Sequence, residues 1–323
     1  MLVRLIRNYP DPGWRAQCPG GTGTLGGITF TDAPVAECDA VIICNHSPED
    51  VELRCPPANV WSVVQEPWWP GSTEWITRAN AGIGRIYSHH PVRQAPWRRS
   101  HPALPWHVGR SWDALHGMEP PDKADAISMI VSKASFYRGH RKRLDFADAL
   151  SADLLERYGK GVRPVADKWD ALAPLRYSVA VENSASPDYW TEKVADCWLA
   201  WTLPFYAGCP NLPDYVPPES FIRIDLSDPG GAESLMREAV ASGQWHRRLE
   251  AIAEARRQVL ARWAFFPFFA AELAQAPAGP RETVRIAGYD RRRLSPLAKL
   301  RRKAWRLAND LEQQIWAWRR GGV

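Results

Sequence analysis

The sequence predicts an α/β protein built on parallel, doubly wound sheets. Short β-branched runs bounded by turn residues recur along it, and amphipathic stretches with apolar residues at three-to-four spacing separate them. At 323 residues the chain is long enough for two such domains. Its 45% hydrophobic and 24% charged content is ordinary for a globular protein.

Residues 3–6 read as the opening strand. The glycine-rich stretch 19–27 lacks the terminal Lys-Ser/Thr of a P-loop and reads as a flexible loop. Residues 40–44 (AVIIC), 60–64 (VWSVV) and 85–87 fit buried parallel strands. The Pro-rich stretch 91–121 shows no helical periodicity and is expected to cross the surface between domains. A second unit starts with a strand at 127–132. An amphipathic helix is expected over 142–158, with Leu144, Ala147, Leu150, Leu154 and Leu155 on one face. A strand at 177–181, a helix at 192–201 and strands at 203–206 and 221–224 follow, then helices at 234–241 and 245–263.

Charge is distributed unevenly. Residues 281–323 carry ten Arg and two Lys against four acids, a net of +8, while the remaining 280 residues carry a net of −3. A nucleic-acid surface across the body is therefore not expected. No run of about 18 apolar residues exists to span a bilayer. Charged Arg4 and Arg7 interrupt the N-terminal segment, which argues against a signal peptide. The six cysteines form no C-x-x-C pair and no zinc-ligand cluster, so reduced thiols and a cytoplasmic setting are expected. A disulfide among Cys18, Cys38, Cys44 and Cys55 stays open. The 17 Trp suit sugar rings and membrane interfaces but suit cores equally, and core packing is the first reading for most of them.

Residues 181–221 concentrate the chemistry. The strand at 177–181 would deliver Glu182, Asn183 and Ser184 at its carboxyl end, where open α/β sheets bind ligands. Thr191 is a candidate N-cap for the helix starting at Glu192. A helix start offers unpaired N–H groups and a partial positive charge that suit a phosphate. Lys193 in that first turn is otherwise unfavourable and points to an anionic ligand, while Glu192 can accept hydrogen bonds from ribose hydroxyls. E-N-S and T-E-K are common tripeptides, so these residues alone leave a nucleotide site and a plain capped helix about equally open.

The motifs in order are Glu182-Asn183-Ser184, Asp188-Tyr189-Trp190-Thr191-Glu192-Lys193, Leu203-Pro204-Phe205-Tyr206-Ala207-Gly208-Cys209-Pro210-Asn211 and Asp214-Tyr215-Val216-Pro217-Pro218-Glu219-Ser220-Phe221-Ile222. Over these forty residues the chain resembles the α1,3/4-fucosyltransferases of glycosyltransferase family 10. Gly139-His140-Arg141-Lys142-Arg143, Asp167-Lys168-Trp169 and the 104–109 segment extend the likeness, the last toward the bacterial branch. Trp190 and Phe205 depart from the family's aliphatic residues, and Trp190 could alter sugar choice.

The resemblance implies GT-B architecture, with two Rossmann-like domains facing a central cleft. It implies an acceptor-side domain over 1–122, a donor domain over 123–280 and a basic tail over 281–323. It further implies GDP-β-L-fucose as donor, inversion at the anomeric carbon, and an α-1,3/4-type linkage to an acceptor oligosaccharide or lipid-linked glycan. Arg143, with Arg141 as the competing assignment, and Lys193 would contact the diphosphate. Glu192 would hold the ribose, and Glu182, Asn183, Ser184, Tyr189 and Thr191 would complete the donor site. No D-x-D triplet occurs, which fits a metal-independent transfer without cofactor. A relative using another GDP-sugar and an inert nucleotide- or glycan-binding protein are the alternatives.

Inversion needs one base to take the acceptor hydroxyl's proton. Glu66, just past the strand at 60–64, is the candidate, with His89, His90 and His107 as alternatives. Trp68 and Trp69 would stack on the acceptor sugar or pack the domain wall. The segment 294–320 has an apolar stripe flanked by Arg301, Arg302, Lys303 and Arg306. It is expected to lie on an anionic membrane surface at the inner face of the cytoplasmic membrane. Packing against the N-terminal domain and self-association into a homo-oligomer are the alternatives.

Overall fold

The computed structural model describes residues 1–69, 72–73, 76, 83–91, 96–290 and 294–321, so parts of the Pro-rich stretch (92–95) and of the tail (291–293, 322–323) lie outside the described residues. The chain forms two compact units. One comprises Met1–Pro105, Ser111–Asp113 and Arg262–Arg306, the other Trp106–Arg110, Ala114–Ala261 and Leu307–Val323.

The first unit carries β1 (Leu2–Arg7), β2 (Thr24–Leu25), β3 (Ile28–Thr31), β4 (Ala40–Cys44), β6 (Val60–Val63), β7 (Arg85–Ser88) and β8 (Trp97–Arg99) in one sheet of order β2-β3-β1-β4-β6-β7-β8. Every pairing from β3 to β8 is parallel, and only the short β2 runs antiparallel. The β4 residues are all buried because the strand is covered on both faces. Ala40, Ile42 and Cys44 join a cluster with Trp14, Trp61 and Phe265, while Val41 and Ile43 join another with Val60 and Ile286. A separate antiparallel pair joins β5 (Val51–Cys55) to β14 (Glu282–Ile286).

The second unit has a five-stranded sheet, β9 (Ala124–Ile130), β10 (Leu155–Tyr158), β11 (Leu175–Val181), β12 (Leu203–Ala207) and β13 (Ile222–Arg223), ordered β10-β9-β11-β12-β13 and parallel throughout. The order reverses between β9 and β11, the switch point at which such sheets bind ligands. Helices α1 (Trp112–His116), α2 (Arg138–Ala149), α3 (Trp169–Leu172), α4 (Glu192–Leu199), α5 (Pro229–Ala241), α6 (Gln244–Arg247) and α7 (Leu249–Gln258) punctuate the chain before it returns to the first unit through α8 (Phe265–Leu273). Buried Lys123 donates to the carbonyls of Leu172, Ala173 and Ala200, placing a cation at the carboxyl ends of α3 and α4.

The α/β class and parallel sheets hold in both units, but several expectations need correction. The helix expected over 142–158 is α2 and stops at Ala149. Leu154 donates its N–H back to Ser151 in a turn, and residues 155–158 pair with β9 as a strand. Two leucines after the turn had extended the helical spacing by coincidence. The helix expected over 245–263 is broken at Arg248 and ends in a π-turn at Val259–Trp263. The 91–121 stretch does pass from one unit to the other, but it is not wholly at the surface: Ser100, His101, Ala103, Trp106 and Val108 are buried, and it contributes β8 and α1.

The compact units also depart from the linear bounds 1–122, 123–280 and 281–323. Phe265, Phe266, Phe269 and Leu273 of α8 fill the first unit's core, with Phe265 4.1 Å from Trp14, so residues 262–306 belong there. All six cysteines are buried free thiols. The 19–27 stretch is not a plain loop: it holds a 3-10 turn at Pro19–Gly21 and the short β2, and the Asp113 carboxylate accepts the Gly20 N–H at 2.9 Å.

Candidate functional site: a cationic cavity at the second unit's switch point

Strands β9 and β11 end at a cavity of about 220 Å³ lined by Ser132, Arg143, Lys168, Val181, Glu192 and Lys193 among others. A second cavity of about 580 Å³ shares Ile130, Gly159, Lys160 and Lys168 with it and adds His107 and the 164–167 loop. The larger volume lies in the range of small-molecule sites, and the smaller cavity adjoins it through the shared residues.

Helix α2 enters this region against the E-N-S loop. A Cβ on Gly139 would lie 2.1 Å from the Asn183 carbonyl oxygen, so only glycine permits the approach. Four residues on, Arg143 is buried and faces the cavity, and its Nε has no hydrogen-bond partner among the described residues. Burial pushes the Arg143 guanidinium down, and Glu182 and Glu192 oppose that. His140 sits beside it. Burial, Arg143, Lys193 and Arg141 together push its imidazole down to about 4. A neutral histidine crowded by cations, next to a buried guanidinium short of an acceptor, is a site made for an anion.

Thr191 caps α4 as expected, accepting the Lys193 N–H at 3.3 Å. Its hydroxyl and N–H donate to Glu182 at 2.7 and 2.8 Å. Glu182 is fully buried, and burial pushes its carboxyl up. It therefore fixes the 182–191 loop and is not among the residues lining the cavity. Gly208 leaves room for it, since a Cβ there would meet Glu182 Cγ at 2.5 Å. Asp188, at φ 63°, closes the same loop by accepting from Asn211 Nδ2 at 2.9 Å and the Tyr215 hydroxyl at 2.8 Å. Tyr189 is likewise buried, and neither it, Asn183, Ser184 nor Thr191 lines either cavity. The D-Y, P-N and D-Y motif positions thus build the loop that presents Glu192 and Lys193.

Lys193 Nζ lies 3.2 Å from Glu192 Oε1 and 3.7 Å from Glu182 Oε2. Burial alone would raise the Glu192 carboxyl. Lys193, Lys168 and His107 override it and hold it well below the usual carboxylate range. The two lysines and the His107 ring approach Oε1, at 3.2 to 3.8 Å, and Oε2 accepts no hydrogen bond among the described residues. An ionised carboxylate with one oxygen unused is an acceptor for hydroxyls. Lys168 also reaches Asp196 at 2.9 Å, and Asp196 accepts the His107 N–H at 2.9 Å. Sequence reading missed His140 and Asp196. The signal for the latter was an acid inside the apolar run VADCWLAW.

The arginine alternatives separate cleanly. Arg141 is buried and donates to the Ser135 and Phe136 carbonyls and to Glu312, so Arg143 is the arginine that faces the cavity. Trp190 packs between Trp198 and Tyr215, and Phe205 stacks on Tyr177 at 5.7 Å, so both departures from the motif are packing residues.

Residues 120–235 match the family description "Glycosyltransferase family 10 (fucosyltransferase) C-term". In this segment the chain is similar to glycosyltransferase family 10. The segment contains α2, the E-N-S loop and the start of α4. Over 120 residues, 35% of this chain, the family 10 region is 31% identical to a 4-galactosyl-N-acetylglucosaminide 3-alpha-L-fucosyltransferase of Pongo pygmaeus. It is 30% identical over the same length to a 3-galactosyl-N-acetylglucosaminide 4-alpha-L-fucosyltransferase of Homo sapiens. The matched region spans 33% of each relative's length. A solved alpha1,3-fucosyltransferase superposes with a TM-score of 0.48 at 13% identity, covering 83% of this chain and 92% of that one.

Glu66, Trp68 and Trp69 lie in the first unit, past the carboxyl end of β6. Glu66 is exposed. Asn45, at φ 61° after β4, accepts the Gln65 N–H at 2.8 Å and the Glu66 N–H at 3.3 Å. His90 Nε2 meets the Glu66 carbonyl at 2.9 Å, and burial pushes its imidazole down to about 4. A ring that is neutral at ordinary pH and committed to a carbonyl positions Glu66's backbone. Trp68 packs edge-on against His90 at 5.0 Å.

Helix α9 (Pro296–Arg319) confirms the amphipathic helix of the tail. Its first part, up to Arg306, belongs to the first unit, as the alternative of packing on the N-terminal domain expected. From Leu307 onward it lies on α2, using its polar face, while Leu307, Leu311, Ile315 and Trp318 remain exposed. No helix among the described residues is long and apolar enough to cross a membrane.

Proposed function

We propose that the chain is an inverting glycosyltransferase moving L-fucose from GDP-β-L-fucose to a hydroxyl of an acceptor glycan, in an α-1,3/4-type linkage. The observation that carries this is the cavity joining Arg143 and Lys193 to the ionised Glu192 at the β9/β11 switch point, with the neutral His140 beside Arg143. The 3-alpha- and 4-alpha-L-fucosyltransferase activities named for the two relatives support the sugar and the linkage class.

In this reading Arg143 and Lys193 take the diphosphate and Glu192 accepts from the ribose hydroxyls. Glu66 removes the acceptor hydroxyl's proton as that oxygen bonds to the anomeric carbon from the face opposite the leaving group. The anomeric carbon–oxygen bond to the β-phosphate breaks, GDP departs with the electron pair, and the two cations stabilise the charge it gains. This chemistry needs neither metal nor other cofactor. Trp68 and Trp69, both half-buried, offer ring faces to the acceptor oligosaccharide or lipid-linked glycan. Because Trp190 is packed away, the motive for a different GDP-sugar is weak. The inert-binder alternative fails if Glu66→Gln abolishes transfer.

The outward apolar stripe of α9 among its arginines and lysines supports peripheral attachment to an anionic membrane surface, facing the cytoplasm. Sedimentation with phosphatidylglycerol vesicles tests it. The triple variant Leu307→Ser, Leu311→Ser, Trp318→Ser should lose binding, and equal binding by both forms would end the idea. For the donor, calorimetry with GDP, UDP, ADP and GDP-fucose should show a guanine preference, and equal affinity for the three diphosphates would reject the reading.

A further inference from the structure

Helix α2 presents two arginines to opposite tasks. Arg143 faces the donor cavity, while Arg141, 200° away around the helix by an ordinary helical rise of about 100° per residue, turns toward the tail. The Arg141 side chain is 5% exposed. It donates to its own loop at the Ser135 and Phe136 carbonyls, at 3.1 and 2.9 Å, and to Glu312 of α9 at 2.8 Å. Asn309, the buried residue of α9, donates to the same Phe136 carbonyl at 2.8 Å and holds its Oδ1 3.5 Å from Arg141. Gln313 donates to the Ser135 hydroxyl at 3.1 Å.

Further along, Trp316 Nε1 donates to Asp145 at 2.7 Å, and Arg320 pairs with Asp145 at 3.0 Å and with Asp148. The tail therefore grips α2 along its length and grips the loop that leads from β9 into it. These contacts are polar and specific in register, unlike those of an apolar helix sliding on a core.

We propose that the C-terminal half of α9 is a brace for the donor site: Asn309 and Glu312 are positioning residues that act through Arg141 and the 135–136 carbonyls to hold α2 where Arg143 meets the diphosphate. The inference rests on the reading of the cavity as a nucleoside-diphosphate site. It adds that a segment far in sequence from the family 10 motifs sets donor affinity. Gly139 explains why the fit is unforgiving, because α2 already touches the Asn183 backbone at the limit of approach.

The test is calorimetry of GDP with the full chain and with Glu312→Gln, Asn309→Ala, Arg141→Ala and the pair Arg141→Ala/Glu312→Gln. Each single variant should weaken GDP by about tenfold, as a small displacement of a binding group does. The pair should be no weaker than Arg141→Ala alone, since both break one linkage. In turnover, the donor KM should rise while kcat and the acceptor KM hold, a split that a general loss of stability would not give. Trp318→Ser, on the outward face of the same helix, should leave GDP binding unchanged. GDP affinity equal to wild type in Glu312→Gln and Asn309→Ala would overturn the brace, as would fully additive losses in the pair.

Hydrogen exchange at the amides of residues 140–144 gives a readout independent of ligand. It should quicken in Glu312→Gln, and no change there would also overturn the proposal. If the wild-type chain fails to bind GDP while exchange still quickens, the donor reading fails and the mechanical link stands.

Discussion

Five parallel strands run in the same order in the two units, β3-β1-β4-β6-β7 and β10-β9-β11-β12-β13, and both place polar groups at the carboxyl ends of their strands, yet they finish that rim in opposite ways. In the first unit the rim is closed on itself. Asn45 accepts two backbone N–H groups and donates to Asn8, Tyr9 donates to Gln65, and a neutral His90 meets a carbonyl. Glu66 follows this knot and is exposed. In the second unit the rim is left charged: Arg143 keeps an unpartnered Nε, His140 is pushed down to about 4, and Glu192 holds one oxygen in reserve. The same architecture can thus knot its strand-end groups to one another or leave them charged around a cavity. The choice lies in whether the strand-end side chains satisfy one another.

The comparison breaks most visibly at Glu66. Replacing it by Gln should lower transfer by about a thousandfold, the range for a lost general base, with GDP affinity unchanged. A parallel loss of GDP binding would show that the two rims do not divide the work. Next, Arg143→Met should weaken GDP by about a hundredfold, because a charge-assisted phosphate contact is lost from a low-dielectric site. Calorimetry reads this directly, and the thermal midpoint should not fall, since a buried guanidinium short of partners leaves.

Asn45→Ala should lower kcat by about tenfold and leave GDP affinity intact, as the Glu66 backbone loses its acceptor. The smallest effect concerns His140. Its imidazole, near 4 in the free protein, should move toward the ordinary 6.5 when a diphosphate enters, so binding takes up protons and GDP affinity rises as pH falls through that window. NMR titration of the ring with and without GDP measures it, and an unmoved ring would place the anion elsewhere.

Much of this was legible in the sequence, and for physical reasons. AVIIC reads as a buried strand because a strand covered on both faces has no polar side to alternate with. Thr191 reads as a cap because its hydroxyl is the group that a helix start lacks. The roles of Glu182, Asp188 and Tyr189 were not legible. A motif residue that builds a loop and one that touches a ligand look alike in one dimension, and only burial separates them. The strand at 155–158 was hidden because Leu154 and Leu155 extend a helical spacing across a turn. The return of 262–306 to the first unit was hidden because no local pattern says which core Phe265 and Phe269 fill. The docked polar face of α9 was invisible for the opposite reason: its apolar stripe is the conspicuous feature, and the contacts lie on the other side.

The central claim is that the second unit's switch-point cavity takes the nucleoside diphosphate. Hydrogen exchange of the full chain with saturating GDP tests it most directly. Slowed exchange should concentrate in residues 130–144, 159–168 and 191–197, the loops and helix starts around Arg143, Lys168 and Lys193. Slowing confined to other segments, or none at all, would contradict it.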